Sequence, residues 1–209
     1  MLIVNYKAYG EAIGEEAGKI TEKIEEAADG EVVVAPQTAD LNRLSTELKV
    51  FAQHVDGVKT GSHTGSNQVK ALKQAGAKGS LINHSERRIE PDKIHRAVEK
   101  CREKDLTSVV CAQNPDECEK YSDFDPDYIA FEPPELIGGE TAVSTARPEL
   151  IEKAVERSGN VDVLTGAGIK TVKDVEKSIE LGCEGVLIAS GVIKSENVKG
   201  KVEELCEGL

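Results

Sequence analysis

No apolar run in this chain approaches the ~20 residues that a membrane-crossing helix needs. No basic segment precedes the first apolar stretch either, so Met1-Leu2-Ile3-Val4-Asn5-Tyr6-Lys7 reads as an opening strand and not as a secretory signal. Basic residues are outnumbered, 26 against 38 acidic, leaving a net charge of −12. That balance argues against a nucleic-acid partner, which needs basic surface to neutralise phosphates. It also disfavours a small anionic substrate unless the site is locally positive. An acidic surface fits a salty cytoplasm, a hint weakened by the 26 basic residues. None of the five cysteines (Cys101, Cys111, Cys118, Cys183, Cys206) forms a Cys-x-x-Cys pair, and their number is odd. Free thiols in a reducing cytoplasm are expected. His54, His63, His84 and His95 are scattered and do not combine with the cysteines at ligand spacing, so no metal site is expected. No linker or low-complexity tract breaks the chain, and residues 1–209 are expected to form a single domain.

What the chain does have is alternation. Apolar strand-like runs at 2–5, 31–35, 50–54, 79–82, 107–111, 127–131, 161–164 and 184–188 are separated by charged amphipathic stretches. Helices are expected at 11–28, 66–75, 92–104, 145–157, 171–181 and 196–206, with shorter helical segments at 38–48 and 114–120. The strands are almost wholly apolar, as in a parallel sheet buried on both faces. Eight strand–helix alternations in one α/β domain predict a compact (β/α)8 barrel near the lower size limit of that fold. An open doubly wound sheet would want Gly-x-Gly-x-x-Gly after the first strand, and Asn5-Tyr6-Lys7-Ala8-Tyr9-Gly10 does not supply it.

In such barrels the chemistry sits at the C-terminal strand ends. Those ends carry Asn5 and Lys7, Gln53 and His54, His84-Ser85-Glu86-Arg87, Glu132, Gly166-Ala167-Gly168 and Ser190-Gly191. One Lys, one His and one Glu therefore converge on one rim. Glu132 ends a short apolar strand and is followed by Pro133 and Pro134, which stiffen the next loop. Gly138-Gly139 frees its other end, so 133–139 reads as a hinged lid beside a base. The glycine turns of the last two strands can bring backbone N–H groups up to an anion, each before a helix N-terminus. His84 falls between a strand and a helix expected to open near Ser85 or Glu86, a position that disfavours a charged imidazole. Read singly, each of these residues has a plainer role: tight turns for the glycines, a solvated surface for Lys7, a structural role for His54 and His63.

Together, Asn5-x-Lys7, Ala52-Gln53, His84-Ser85-Glu86-Arg87, Ala130-Phe131-Glu132-Pro133, Ile137-Gly138 and the two glycine turns resemble the triosephosphate isomerase family over nearly the whole chain, in its compact archaeal form. The resemblance implies an aldose–ketose isomerase of glycolysis and gluconeogenesis that uses no cofactor. By position, Glu132 would be the base, His84 the group that polarises the carbonyl, Lys7 the stabiliser of negative charge, and Asn5 the orienter of substrate oxygens. Ser85, Glu86 and Arg87 would support the site. Substrate phosphate would rest against Gly138, Gly166, Ala167, Gly168, Ser190 and Gly191. The lid would comprise Pro133, Pro134, Glu135, Leu136, Ile137, Gly138 and Gly139. The family also implies a homodimer or homotetramer in the cytoplasm, with Lys59-Thr60-Gly61-Ser62-His63-Thr64-Gly65 resembling its dimer loop. The chain departs from better-known members in its Pro-Pro-Glu lid, its lack of Trp, and its Thr165-Gly166-Ala167-Gly168 and Ser190-Gly191 turns, which put side-chain phosphate contacts in question. The alternatives are another phosphate-binding barrel enzyme, or a non-catalytic barrel that binds a phosphorylated metabolite.

Overall fold

The computed structural model describes residues 1–134 and 143–209. Eight parallel strands close a barrel in sequence order, β1 through β8, with β8 returning to β1. They are β1 Leu2–Asn5, β2 Val32–Ala35, β3 Lys49–Ala52, β4 Gly79–Ile82, β5 Thr107–Ala112, β6 Tyr128–Phe131, β7 Asp162–Thr165 and β8 Gly185–Ile188. The helices among the described residues are α1 Glu15–Ala27, α2 Val69–Gln74, α3 Pro91–Arg102, α4 Pro115–Ser122, α5 Val143–Ala146, α6 Pro148–Ser158, α7 Val172–Glu180, α8 Ser190–Ile193 and α9 Val198–Cys206. The predicted (β/α)8 barrel is the observed fold.

The period-2 geometry of a strand sends alternate side chains to opposite faces. Ile3, Val33, Phe51, Leu81, Val109, Cys111, Ala130, Leu164 and Leu187 fill the barrel interior, while Leu2, Val4, Val32, Val34 and Ile129 face the helices. Both sets are buried, so each large aliphatic contributes roughly 1.5–3 kcal/mol of transfer free energy, and the strands need no alternation of polarity. The thiols follow the core. Cys101, Cys118 and Cys183 are buried free thiols pushed up to about 12 by burial, and are inert at neutral pH.

Helix ends obey local chemistry. The Asn114 side chain accepts from Glu117 N and caps α4, Pro115 fitting the first helical position. Thr171 and Asp174 form a reciprocal capping box at α7. Two expected helices are divided and a third forms only a 3-10 turn. The 11–28 segment breaks at Gly14, whose φ of 64° belongs to no helix, leaving a 3-10 turn at Gly10–Ala12 before α1. The 145–157 segment divides ahead of Pro148, because a proline disfavours helical backbone at the residue before it. The 38–48 segment forms only the 3-10 turn Thr38–Arg43.

Candidate active site

The first strand ends in a turn that places Lys7. Asn5 is buried, and its Oδ1 accepts the Lys7 N–H at 3.0 Å. Lys7 sits at φ 48°, a left-handed conformation that costs a non-glycine residue about 1–2 kcal/mol. Two glutamines hold it there. The Lys7 carbonyl accepts Gln37 Nε2 at 2.5 Å and Gln53 Nε2 at 2.9 Å, and Gln53 also bonds the Ala35 carbonyl. Strain at a rim residue that is restrained from two other strand ends is a mark of a preorganised site. The Lys7 ammonium lies 3.0 Å from Glu86 Oε1. Gln37 was missed as a site-building residue, since a glutamine after a strand carries no signal by itself.

His84 follows Asn83, a fully buried residue at φ 64° whose side chain donates to the Cys111 carbonyl and accepts the Ile89 N–H. The expected helix start at Ser85 or Glu86 is not there; a turn occupies these positions and α3 opens at Pro91. The imidazole is instead fixed by that turn. Glu86 N donates to His84 Nδ1 at 3.2 Å, and Arg87 N donates to the His84 carbonyl at 2.7 Å. An Nδ1 that accepts leaves the ring proton on Nε2. Glu86 and Arg87 thus position His84 through their backbones, whereas the Ser85 hydroxyl is buried without a hydrogen-bond partner among the described residues.

Glu132 leaves the end of β6 buried, its N–H bonded to the Ala112 carbonyl. Its Oε1 lies 3.5 Å from His84 Nε2. Its Oε2 is buried with no hydrogen-bond partner among the described residues. A buried carboxylate oxygen with unspent acceptor capacity is costly in a folded protein and is suited to taking up a proton. Cys111 lies beside it; burial first, then the Glu132 charge, push that thiol well above its ordinary value. Gly166 forms the opposite wall. A Cβ at that position would stand 2.5 Å from Glu132 Cγ, so only glycine leaves room for the carboxylate. Of the expected lid, Pro133 and Pro134 are described; Glu135, Leu136, Ile137, Gly138 and Gly139 lie outside the described residues, and with them the expected phosphate contact at Gly138.

Asn5, Lys7, His84, Glu132, Gly166, Gly168, Ser190 and Gly191 line one cavity of 470 Å3. Ala167 is buried and, like Ser85, Glu86 and Arg87, stands outside the lining. The loop after β7 is anchored from below, where Thr165 Oγ1 meets Ser178 Oγ at 2.9 Å. The loop after β8 leads straight into α8, whose first N–H groups have no carbonyl one turn earlier to bond. The cavity wall also carries Tyr9, Lys170, Lys194 and Lys201, which the sequence does not single out. With Lys7, the three lysines outnumber Glu132 in the lining and make the pocket locally positive in a protein of net charge −12.

Comparison with known proteins agrees with this geometry. The family model described as triosephosphate isomerase matches residues 1–207. The triosephosphate isomerases of Methanothermus fervidus and Methanocaldococcus jannaschii are 44% and 43% identical to this chain, each over 98% of it and over 96% and 98% of their own lengths. That of Archaeoglobus fulgidus is 45% identical over 98% of this chain and 96% of its own. The crystal structure of triosephosphate isomerase from Bartonella henselae superposes with a TM-score of 0.79 at 18% identity, covering 99% of this chain and 97% of that one, which speaks for the fold. On the strength of the family model and the archaeal relatives, the chain belongs to the triosephosphate isomerase family, and is an isomerase.

Proposed function

We propose that Glu132 is the base of an interconversion of D-glyceraldehyde 3-phosphate and dihydroxyacetone phosphate through an enediolate. The observation that carries this reading is the facing pair Glu132 Oε1 and His84 Nε2, 3.5 Å apart in the cavity where Lys7 and both glycine turns converge. Glu132 takes the proton from the carbon beside the carbonyl and returns it to the neighbouring carbon. His84 donates from Nε2 to the carbonyl oxygen and moves protons between the two substrate oxygens. Lys7 meets the charge that develops on the enediolate, and Asn5, its Oδ1 already committed to Lys7 N, turns its amide N–H groups to those oxygens. Backbone N–H groups at 166–168, at Ser190 and Gly191, and at Gly138 hold the phosphate. Closure of 133–139 shuts out water, which would otherwise let the enediolate lose its phosphate. This division of roles is the one established for the family and is taken over from it. No cofactor or metal takes part.

The same reading extends to the molecule's setting. The chain is a single domain working in the cytoplasm; no helix among the described residues is long and apolar enough to cross a membrane. It assembles as a homodimer or homotetramer through loop 59–65, all of it exposed and without a charged residue after Lys59.

The test is a coupled assay in which purified protein converts glyceraldehyde 3-phosphate and a second enzyme reduces the dihydroxyacetone phosphate formed. Rapid turnover that Glu132→Gln abolishes supports the base. Full activity in that variant removes Glu132 from the chemistry.

A further inference from the structure

The phosphate end of the cavity poses a charge problem. The turn after β7 offers Gly166, Ala167 and Gly168, and that after β8 offers Ser190 and Gly191. Backbone N–H groups carry only partial charge, and a phosphate monoester carries nearly two negative charges at neutral pH. Three lysines of the cavity wall, Lys7, Lys194 and Lys201, are not equivalent in meeting it. Lys7 faces Glu86 at 3.0 Å. Lys201 is 2.5 Å from Glu204 Oε2 and donates to the Lys170 carbonyl at 3.0 Å. Lys194 has no carboxylate partner among the described residues; its ammonium lies 4.6 Å from the centroid of the Tyr9 ring.

That difference matters electrostatically. A carboxylate partner competes with a ligand for the ammonium, whereas an aromatic face attracts the cation and brings no opposing net charge. Lys194 is also well placed. It caps α8, and its backbone N–H bonds the Ser190 carbonyl at 3.0 Å, so its main chain is tied to the phosphate-side turn. Tyr9 comes from the turn that carries Lys7, so the Tyr9–Lys194 contact joins the loops after the paired strands β1 and β8 on the cavity wall.

We propose that Lys194 is a substrate-positioning residue that takes the charge of the triose phosphate's dianionic group, and that Tyr9 presents it without neutralising it. The inference rests on the triose phosphate reading above. It is tested by two measurements on wild type, Lys194→Ala, Lys194→Arg, Tyr9→Phe and Tyr9→Leu. One is kcat and KM with glyceraldehyde 3-phosphate; the other is calorimetric binding of inorganic phosphate, which needs no turnover. Lys194→Ala should raise KM about tenfold or more and weaken phosphate binding by a similar factor, with the loss falling on KM more than on kcat. Lys194→Arg should recover most of both, and Tyr9→Phe, which keeps the ring, should stay near wild type while Tyr9→Leu falls between. High KCl should narrow the gap between wild type and Lys194→Ala, as it does for charge attraction. Unchanged KM and phosphate affinity in Lys194→Ala would overturn the proposal. So would a fall in kcat alone, which would mark Lys194 as structural. If wild type shows no turnover, the isomerase reading fails, and the phosphate titration still decides for or against Lys194.

Discussion

Gly166 and Glu132 occupy the same small volume from opposite sides, one by having no side chain and the other by filling the space with its own. The backbone at Gly166 is not left-handed, so alanine fits there conformationally; the clash with Glu132 Cγ is what forbids it. Gly166→Ala should therefore lower kcat by about 10- to 100-fold while costing no more than the ~1–3 kcal/mol of an overpacked site. Parallel kinetics and thermal melts separate the two effects, and an undiminished kcat would mean that Glu132 works from another position. Glu132→Asp probes the same geometry from the other side. It draws the carboxylate back by ~1 Å, enough to cost on the order of 100-fold in kcat, with KM little changed. A rise in KM at constant kcat would assign Glu132 to binding.

Elements place these residues, and their legibility differs for physical reasons. Strands read well because burial on both faces makes them unbroken apolar runs, so β1, β4 and their rim residues stand where expected. Helix onsets read less well. Ser85-Glu86 has the look of a cap, but Asn83 adopts a left-handed turn that sends the chain outward until Pro91 can start α3. Long-range partners were invisible: Gln37 and Gln53 reach Lys7 through the closed barrel, and Lys194 lies in a stretch where a solvated lysine is the ordinary case. The loop after β3 shows how an element end is locked. Asp56 accepts His54 Nε2 at 3.1 Å and Asn67 N at 2.8 Å, and its own N–H bonds the Asn67 carbonyl, closing the base of the exposed 59–65 loop. Burial lowers the His54 pKa below its ordinary 6.5, outweighing the pull of Asp56, with the Arg87 charge acting in the same direction as burial. At Asp56 burial pushes upward, but the Asn67 N–H and His54 outweigh it and hold the carboxyl below 3.8. As pH falls below about 6.5 the unfolded chain takes up a proton that folded His54 refuses, so stability falls with pH in that window. The Asp56 contribution is complete above 3.8 and is lost only as pH drops through its lower folded value. Melting temperatures from pH 7 to pH 5 should fall less steeply in His54→Asn than in wild type. Equal slopes would show that His54 titrates alike in both states.

For the molecule as a whole, charge is the outstanding feature. Among the described residues the ion pairs are mostly solvated, as with Lys19–Glu16 at 62% and 53% exposure or Arg96–Asp92 at 51% and 64%, and such pairs contribute little to stability. The net charge of −12 repels itself over the whole surface. Added KCl screens both, and with acidic residues in excess by 12 the melting temperature should rise between ~0.1 and ~1 M KCl as the Debye length shrinks from roughly 10 to 3 Å. A flat or falling melting curve would mean that the surface pairs dominate. The ring of strands has a consequence in time as well as in energy. Its seam pairs Leu2 with Val186 and Val4 with Ile188, residues nearly the whole chain apart. Until β8 exists, β1 has an unsatisfied edge, and a growing chain must carry two open edges from the first strand to the last. Closure is thus a late, long-range event with a large loop entropy against it. The Tyr9–Lys194 contact joins the loops on either side of that seam, so it can form only when the ring does.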